Sequence, residues 1–293
     1  MRTLVEEVFQ NQLWQPPPPC KKTMDKWDTL LKIISGKMVH VRLFTTVHDQ
    51  NTDRCDNSNG LIIYFHGNAE DLSTCNCFLE WLALHTGYNV LGLDYVGYGQ
   101  STRESTTELN MCEAADAVLE YATSSLEPKY KHHQICIIGR SLGSIPAVHL
   151  ASNKNNAGLQ GLVLISAFAS AARCVLPSAY VPCMLQNSLD NVFGNNIQRI
   201  PSVHCMILLV HGDKDTTVGI ENSEALQNTC KTWCHTKLVR IQGATHASLL
   251  NEYLPHVLPP LTQFLGDSSE NAKQSCCHQK SLSPYSYENL VEF

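Results

Sequence analysis

The sequence predicts an α/β fold with a mostly parallel central sheet, because short β-forming runs alternate with helical segments from residue 61 onward. Most of these runs are continuously apolar, which is typical of strands covered by helices on both faces. A chain of 293 residues with 43% hydrophobic residues is long enough to bury one large core. The predicted strands of this part are Leu61–Phe65, Asn89–Asp94, Ile135–Ile138, Leu162–Ser166, Met206–Val210 and Lys237–Ile241.

The remaining elements follow from turn residues and helical periodicity. Two strands precede the alternating part, at Thr29–Ser35 and Met38–Thr46, and Gly36-Lys37 between them predicts an antiparallel hairpin. Helices are predicted between the later strands, where they cover the two faces of the sheet. The predicted helices are 72–86, 107–125, 142–153, 220–231 and 247–264.

The chain divides into three predicted parts. Residues 1–26 contain four consecutive prolines and form a flexible arm, residues 27–265 form the folded domain, and residues 266–293 form a polar, disordered tail. Within the domain, residues 169–200 contain two prolines and have no clear period. We interpret them as a short cap above the carboxyl ends of the strands. The alternative is an ordinary crossover helix with a long loop.

Charge and cysteine content exclude several classes of function. The net charge is -6 and there is no long basic stripe, so a nucleic-acid partner is not expected. None of the 13 cysteines forms a CxxC pair, so zinc-type ligand spacing is absent. The sequence begins without the apolar region of a secretory signal, and its apolar runs are too short to span a bilayer. These features predict a cytoplasmic protein with reduced thiols.

The stretch QICIIGRSLGSI, residues 134–145, carries the clearest chemical signal. A β-forming run leads into Gly139-Arg140-Ser141-Leu142-Gly143 and a helical pattern follows, which is the setting of a G-x-S-x-G nucleophile. The two glycines allow the strand and the helix to pack closely on either side of Ser141. The N–H of Leu142 lies at the start of the helix, where it can stabilise an oxyanion. Ser141 is the candidate nucleophile, and the alternative is a glycine-rich turn with an incidental serine.

A serine nucleophile needs a base and a group that orients the base. The strand Met206–Val210 is followed by a loop with two aspartates, Asp213 and Asp215, and Lys237–Ile241 is followed by a loop ending in His246. The carboxyl ends of parallel strands meet at one edge of the sheet, so both loops lie near Ser141. We predict that His246 is the general base and then acid, oriented by one of the aspartates. Asp213 can instead serve as a turn former, whereas Asp215 is placed to reach over the sheet edge.

Five short stretches together resemble the α/β-hydrolase superfamily. They are HGNA at 66–69, LDYVGYGQS at 93–101, GRSLG at 139–143, HGDKD at 211–215 and GATH at 243–246. The resemblance implies the α/β-hydrolase fold, and it implies that Asp215, the second aspartate of the HGDxD loop, is the acid of the triad. It further implies that Asn68 supplies an oxyanion amide beside that of Leu142, and that His66 braces the loop. No metal or organic cofactor is needed for such a site.

Within the superfamily, residues 39–265 resemble the small-capped, serine aminopeptidase-like group that includes protein depalmitoylases. This resemblance implies hydrolysis of acyl thioesters or esters, with an acylated protein or a lipid or small ester as the substrate. Depalmitoylases of this group carry a cysteine-rich acylated N-terminal segment, whereas the arm here has only Cys20. The tail instead holds Cys276-Cys277, which we hypothesise to be S-acylated and to attach the protein peripherally to membranes. The alternative is a pair of unmodified thiols.

Two other functions stay open at this stage. One is a carboxylesterase or lipase of the same fold that acts on lipids or small esters. The other is a catalytically silent binding protein, which the presence of Ser141, Asp215 and His246 disfavours.

Overall fold

The structure is a computed structural model, and it describes residues 16–17, 24, 26–46, 59–126, 129–156, 158–175, 193–230 and 235–281. Eight strands form one sheet in the order β1-β2-β4-β3-β5-β6-β7-β8. All eight predicted strands are present, with ends shifted by at most a few residues. They are β1 Asp28–Lys32, β2 Met38–Phe44, β3 Leu61–Phe65, β4 Asn89–Leu93, β5 Ile135–Arg140, β6 Gly161–Ile165, β7 Met206–Gly212 and β8 Thr236–Ile241.

The sheet is parallel from β4 to β8 and antiparallel at its start. β1 and β2 form the predicted hairpin, whose turn contains Gly36 at a φ of +82°. β2 pairs antiparallel with β4, and the pairs β4–β3, β3–β5, β5–β6, β6–β7 and β7–β8 are parallel. Parallel pairing brings the carboxyl ends of β3, β5, β6, β7 and β8 to one edge, where the loops that follow them converge.

Helices cover both faces of the sheet, as the apolar strands predict. One face packs against α1 and α7, through buried residues such as Leu79 and Leu261. The other face packs against α2, α3 and α6, through residues such as Met111, Val148 and Leu226. The helices are α1 Asn76–Thr86, α2 Glu108–Glu120, α3 Ser144–Ser152, α4 Ala171–Val175, α5 Asn196–Arg199, α6 Glu221–Thr229 and α7 Leu254–Ser281.

The last helix differs from the prediction. The prediction of a disordered tail from residue 266 is wrong for residues 266–281, because α7 continues to Ser281. Residues 267–281 contain no proline or glycine, so nothing in them stops the helix. The buried side chain of Gln160 also fixes the beginning of this part, since its Nε2 donates to the Leu265 carbonyl at 3.0 Å and to Ser268 Oγ at 3.1 Å.

Several predictions fall wholly or partly outside the described residues. These are most of the arm 1–26, residues 176–192 of the predicted cap, the side chains of Cys276-Cys277 and the end of the tail at 282–293. The flanks of the predicted cap are described and well anchored, since Asn196 Nδ2 donates to Ser144 Oγ at 3.0 Å and to the Phe168 carbonyl at 2.9 Å. Among the described helices, none combines the length and apolar character that a membrane span requires.

Candidate active site

Ser141 occupies a strained turn between β5 and α3. The strand ends at Arg140, Ser141 has a φ of +49°, and a 3₁₀ turn over Ser141–Gly143 leads directly into the helix. A non-glycine residue in this left-handed region costs about 1–2 kcal/mol, and such residues concentrate at functional sites. The side chain is 9% exposed at the edge of the sheet. The local structure is that of a nucleophile on a sharp strand-to-helix turn.

Close packing around this turn requires both glycines. A Cβ atom on Gly143 would collide with the Phe65 carbonyl at the end of β3. A Cβ atom on Gly139 would lie 2.5 Å from the Gly143 carbonyl oxygen and 2.6 Å from Ala147 Cβ. The serine turn, the start of α3 and the end of β3 therefore meet with no room for side chains.

Asp215 and His246 are hydrogen-bonded to each other at the same edge of the sheet. Asp215 Oδ2 accepts a bond from His246 Nδ1 at 2.8 Å. The other carboxylate oxygen accepts the backbone N–H groups of Thr217 and Val218 at 3.0 and 2.9 Å, which fixes the carboxylate. With Nδ1 donating, the neutral imidazole has Nε2 as its acceptor nitrogen, which is the form a general base needs.

A second histidine supports the carboxylate from behind. His211 is fully buried, and its Nε2 donates to the Val218 carbonyl at 2.8 Å while lying 3.4 Å from Asp215 Oδ2. Its Nδ1 accepts a bond from the Ser223 hydroxyl at 2.7 Å. Burial disfavours the charged form of Asp215, but the bonds from His211 and His246 outweigh it and hold the pKa of Asp215 well below its usual range. Asp215 is therefore ionised at neutral pH.

The two aspartates of this loop make different contacts. Asp213 Oδ1 accepts the backbone N–H of Gly243 at 2.7 Å, and the Lys214 N–H donates to the Ala244 carbonyl at 3.0 Å. Asp213 thus joins the loop after β7 to the loop after β8. Asp215 is the aspartate that contacts His246.

The loop after β3 is held by buried aromatic and polar groups. His66 is buried and donates from Nδ1 to the Gly67 carbonyl at 2.7 Å, and burial lowers its pKa. The Tyr95 hydroxyl donates to the His66 carbonyl at 2.8 Å, and the Tyr98 hydroxyl donates to Asn68 Oδ1 at 2.8 Å. These bonds fix the backbone at Asn68, at the edge where the serine turn also lies.

Ser141 lies at the same edge of the sheet, on the turn after β5. In the part of the chain that the structure describes, no hydrogen bond joins the Ser141 hydroxyl to His246. Such bonds are often long in active sites without substrate and shorten in the substrate complex. The described geometry is an Asp215–His246 pair beside a strained serine.

Two other features of this edge, Ser166 and Arg140, have no role predicted from the sequence. Ser166 follows β6 directly, has a φ of +47° and is 1% exposed, and its hydroxyl has no hydrogen-bond partner among the described residues. Arg140 forms an ion pair with Glu70 and donates from Nη2 to the His246 carbonyl at 3.3 Å. Only the end of a predicted strand marks Ser166 in the sequence, and the Arg140–Glu70 contact joins residues 70 positions apart.

Comparison with known proteins agrees with the fold and the motifs. Residues 56–195 match the family described as serine aminopeptidase, S33. This segment contains the serine turn and the loop after β3, and it ends before Asp215 and His246. The family match therefore includes Asn68 and Ser141, whereas Asp215 and His246 lie outside it.

Curated relatives carry the same domain name. The chain is 32% identical over 191 residues to alpha/beta hydrolase domain-containing protein aho-3 of Caenorhabditis elegans, which covers 65% of this chain and 53% of that protein. It is 27% identical over 215 residues to alpha/beta hydrolase domain-containing protein 17B of Homo sapiens, which covers 72% of this chain and 70% of that protein. The chain thus spans about half the length of the nematode relative.

Solved structures show the same architecture. The esterase Pf2001 of Pyrococcus furiosus superposes with a TM-score of 0.67 at 18% identity, over 87% of this chain and 98% of that one. At this identity the likeness establishes the fold alone. Taken with the sheet order and the sequence matches, it shows that the chain has the α/β-hydrolase fold.

Proposed function

We propose that this protein is a serine hydrolase that cleaves acyl thioesters or esters through an acyl-enzyme, and that its substrate is an acylated protein. The observation that carries the proposal is the 2.8 Å bond between Asp215 and His246, at the sheet edge that also holds the strained Ser141. A histidine oriented by a buried carboxylate is what a serine hydroxyl needs to become a nucleophile.

The first half of the reaction forms the acyl-enzyme. Ser141 Oγ attacks the carbonyl carbon while His246 Nε2 takes the hydroxyl proton, and the carbonyl oxygen becomes an oxyanion. The backbone amides of Asn68 and Leu142 donate to the oxyanion, and removal of one such donor typically lowers kcat about 10²–10³-fold. Asp215 stabilises the imidazolium, and its lowered pKa keeps it negatively charged throughout. The intermediate collapses when His246 returns the proton to the departing sulfur or oxygen.

The second half releases the acid. A water molecule attacks the acyl-serine carbonyl while His246 accepts one of its protons, and a second tetrahedral intermediate forms on the same two amides. Collapse breaks the bond to Ser141 Oγ, which regains its proton from His246. The products are a carboxylic acid and the free thiol or alcohol, and Ser141 is regenerated. No step requires a metal or an organic cofactor.

The proposed substrate is an acylated protein. This assignment is supported by the resemblance of residues 39–265 to the hydrolase-domain group that includes protein depalmitoylases. A thioester has a good leaving group, so a lightly capped site suffices for its hydrolysis. Lipids and small oxygen esters are the competing substrates for the same chemistry.

We further propose that S-acylation of Cys276 and Cys277 attaches the protein peripherally to membranes. Two acyl chains give stable attachment, whereas one gives only marginal binding. Cys276 and Cys277 are adjacent in the sequence, so two acyl chains would be attached at one point. A Cys276→Ser/Cys277→Ser protein should lose sedimentation with membranes, and unchanged partitioning would contradict the idea.

The function is tested by labelling with a fluorophosphonate probe, combined with turnover of medium- and long-chain acyl thioesters and short oxygen esters. Wild-type protein should react with the probe and hydrolyse the long-chain thioester, and Ser141→Ala should do neither. Turnover of short oxygen esters only would point to a general esterase. A folded wild-type protein that neither reacts with the probe nor hydrolyses any substrate would instead be a binding protein.

A further inference from the structure

We propose that the Arg140–Glu70 ion pair is a positioning device that holds the three loops of the proposed active site in one arrangement. The inference rests on the proposed hydrolase function, and it concerns residues for which that function gives no role. Each of the three loops supplies one chemical group: the nucleophile after β5, an oxyanion amide after β3, and the general base after β8. The ion pair contacts all three loops.

Glu70 closes the loop after β3. One carboxylate oxygen, Oε2, accepts the backbone N–H of Gly67 at 2.8 Å, three residues back along the chain. The Gly67 amide is therefore occupied, and the turn carries the chain onward to Asn68, whose amide is the proposed oxyanion donor. A Cβ atom built on Gly67 would lie 3.0 Å from Glu70 Oε2 and 3.7 Å from the Arg140 carbonyl oxygen, so this loop also lies directly against the serine loop.

Arg140 connects that turn to the other two loops. It is the last residue of β5, and Ser141 follows it directly. Its Nη1 pairs with Glu70 Oε1, and its Nη2 donates to the backbone carbonyl of His246 at 3.3 Å. The planar guanidinium presents these two donors in a fixed relation, so the position of the histidine backbone is tied to the position of Glu70. A lysine ammonium, which is a single point charge, has no such fork.

The setting distinguishes this pair from an ordinary surface ion pair. The two side chains are 15% and 20% exposed, and a backbone amide completes the network. Arg240 and Glu224, at 2.9 Å, form a pair of the same chemical type between β8 and α6, but their side chains are 53% and 42% exposed, and no described hydrogen bond joins them to the three loops. Exposed pairs of this kind contribute little. The Arg240–Glu224 pair thus provides an internal control.

The Arg140–Glu70 pair lies beside an open cavity, so replacement of one partner does not leave the other charged side chain buried away from water. Both residues line an open cavity of about 510 Å³ between α1 and the segment that begins α7, together with Phe78, Trp81 and Ala247. Water in this cavity can solvate the partner that remains. Substitution should therefore shift the loops relative to one another more than it unfolds the protein.

The predicted consequence is a loss of rate at constant binding. Displacement of reacting groups by about 1 Å lowers the rate about 10²-fold. Arg140→Gln and Glu70→Gln should each lower kcat for p-nitrophenyl butyrate by about 30- to 100-fold, with KM within about threefold of wild type. The double variant should be no slower than the slower single variant, because both substitutions break one network. Arg140→Lys should remain well below wild type, since it keeps the charge and loses the fork.

The experiment measures kcat, KM, the rate of fluorophosphonate labelling and the unfolding temperature for these variants and for Arg240→Gln. Wild-type kinetics in Arg240→Gln and slow turnover with a near-native unfolding temperature in the Arg140 and Glu70 variants would support the inference. A kcat within threefold of wild type in Arg140→Gln, or full activity in Arg140→Lys, would overturn it.

Two further outcomes are also decisive. If Arg140→Gln fails to fold, Glu70→Gln decides, because it is isosteric: reduced kcat supports the inference and retained kcat refutes it. If wild-type protein itself neither hydrolyses the ester nor reacts with the probe, the proposed function fails and the positioning role fails with it. Loss of the positioning role alone leaves the wild-type activity intact, so the two failures are distinguishable.

Discussion

The left-handed backbone at Ser141 predicts an unusual effect of glycine on stability. At most positions, replacement of alanine by glycine is destabilising, because glycine has more conformational freedom in the unfolded chain. At Ser141, with a φ of +49°, the Cβ atom itself is costly in the folded state, by about 1–2 kcal/mol. Ser141→Gly removes this cost, and Ser141→Ala retains it.

The magnitude follows from a comparison with an ordinary helical position. Ala117 lies inside α2, where alanine is favoured over glycine by about 1 kcal/mol. The unfolded-state contribution is the same at both positions and cancels. The cost of the alanine-to-glycine change should therefore be about 1–2 kcal/mol smaller at position 141 than at position 117. At position 141 the change is then neutral or stabilising.

The assay is urea unfolding at 25 °C, followed by circular dichroism, for wild type, Ala117→Gly, Ser141→Ala and Ser141→Gly. Both Ser141 variants lack the proposed nucleophile, so their comparison involves stability alone. The reasoning is refuted if the alanine-to-glycine change costs as much at 141 as at 117, because the strained turn would then contribute nothing to the folded-state energy.

Three other perturbations have defined outcomes. Asp215→Asn removes the carboxylate that orients His246, and kcat for ester hydrolysis should fall about 10³–10⁴-fold; a loss below tenfold would contradict the assigned role. Gly143→Ala places a methyl group against the Phe65 carbonyl, so it should abolish fluorophosphonate labelling and lower the unfolding temperature, and wild-type labelling would show that the packing is looser than described. His40 is buried, which favours its neutral form, but its bonds to two carboxylates outweigh burial and raise its pKa above 6.5. Its stabilising contribution is complete below pH 6.5 and is lost as pH rises through the raised folded-state pKa, so the decline in unfolding free energy from pH 6 to pH 9 should be smaller in His40→Gln than in wild type.

The strands were predictable because their signals are local. β3 has the predicted ends, since an apolar run of five residues stops at His66-Gly67. β5 runs two residues further than predicted, to Arg140, because parallel pairing with β6 extends to the residue before the serine. The continuation of α7 beyond residue 265 was not predictable from polarity alone, because Gln160, which contacts the Leu265 carbonyl, lies 105 residues away in sequence.

The candidate site, like the fold, was only partly predictable from the sequence. Loop positions after strands predict Ser141 and His246 as site residues, whereas the choice of Asp215 over Asp213 depended on the resemblance to the α/β-hydrolase superfamily. The structure separates them by their hydrogen bonds, with Asp213 on the Gly243 amide and Asp215 on His246. The Arg140–Glu70 pair had no sequence signal, because ion pairs between distant residues depend on how loops are brought together by the whole sheet.

The position of β8 at the edge of the sheet has a consequence for heat inactivation. Its residues are mostly partly exposed, and it is hydrogen-bonded to β7 alone, yet the loop that carries His246 begins where it ends. Edge segments with few buried contacts open at lower free energy than the interior of a sheet. Separation of β8 from β7 would displace His246, the proposed general base, while the interior strands, and most of the circular dichroism signal, remain intact. On heating, the protein should therefore lose hydrolysis before it loses its fold, and recover it on cooling.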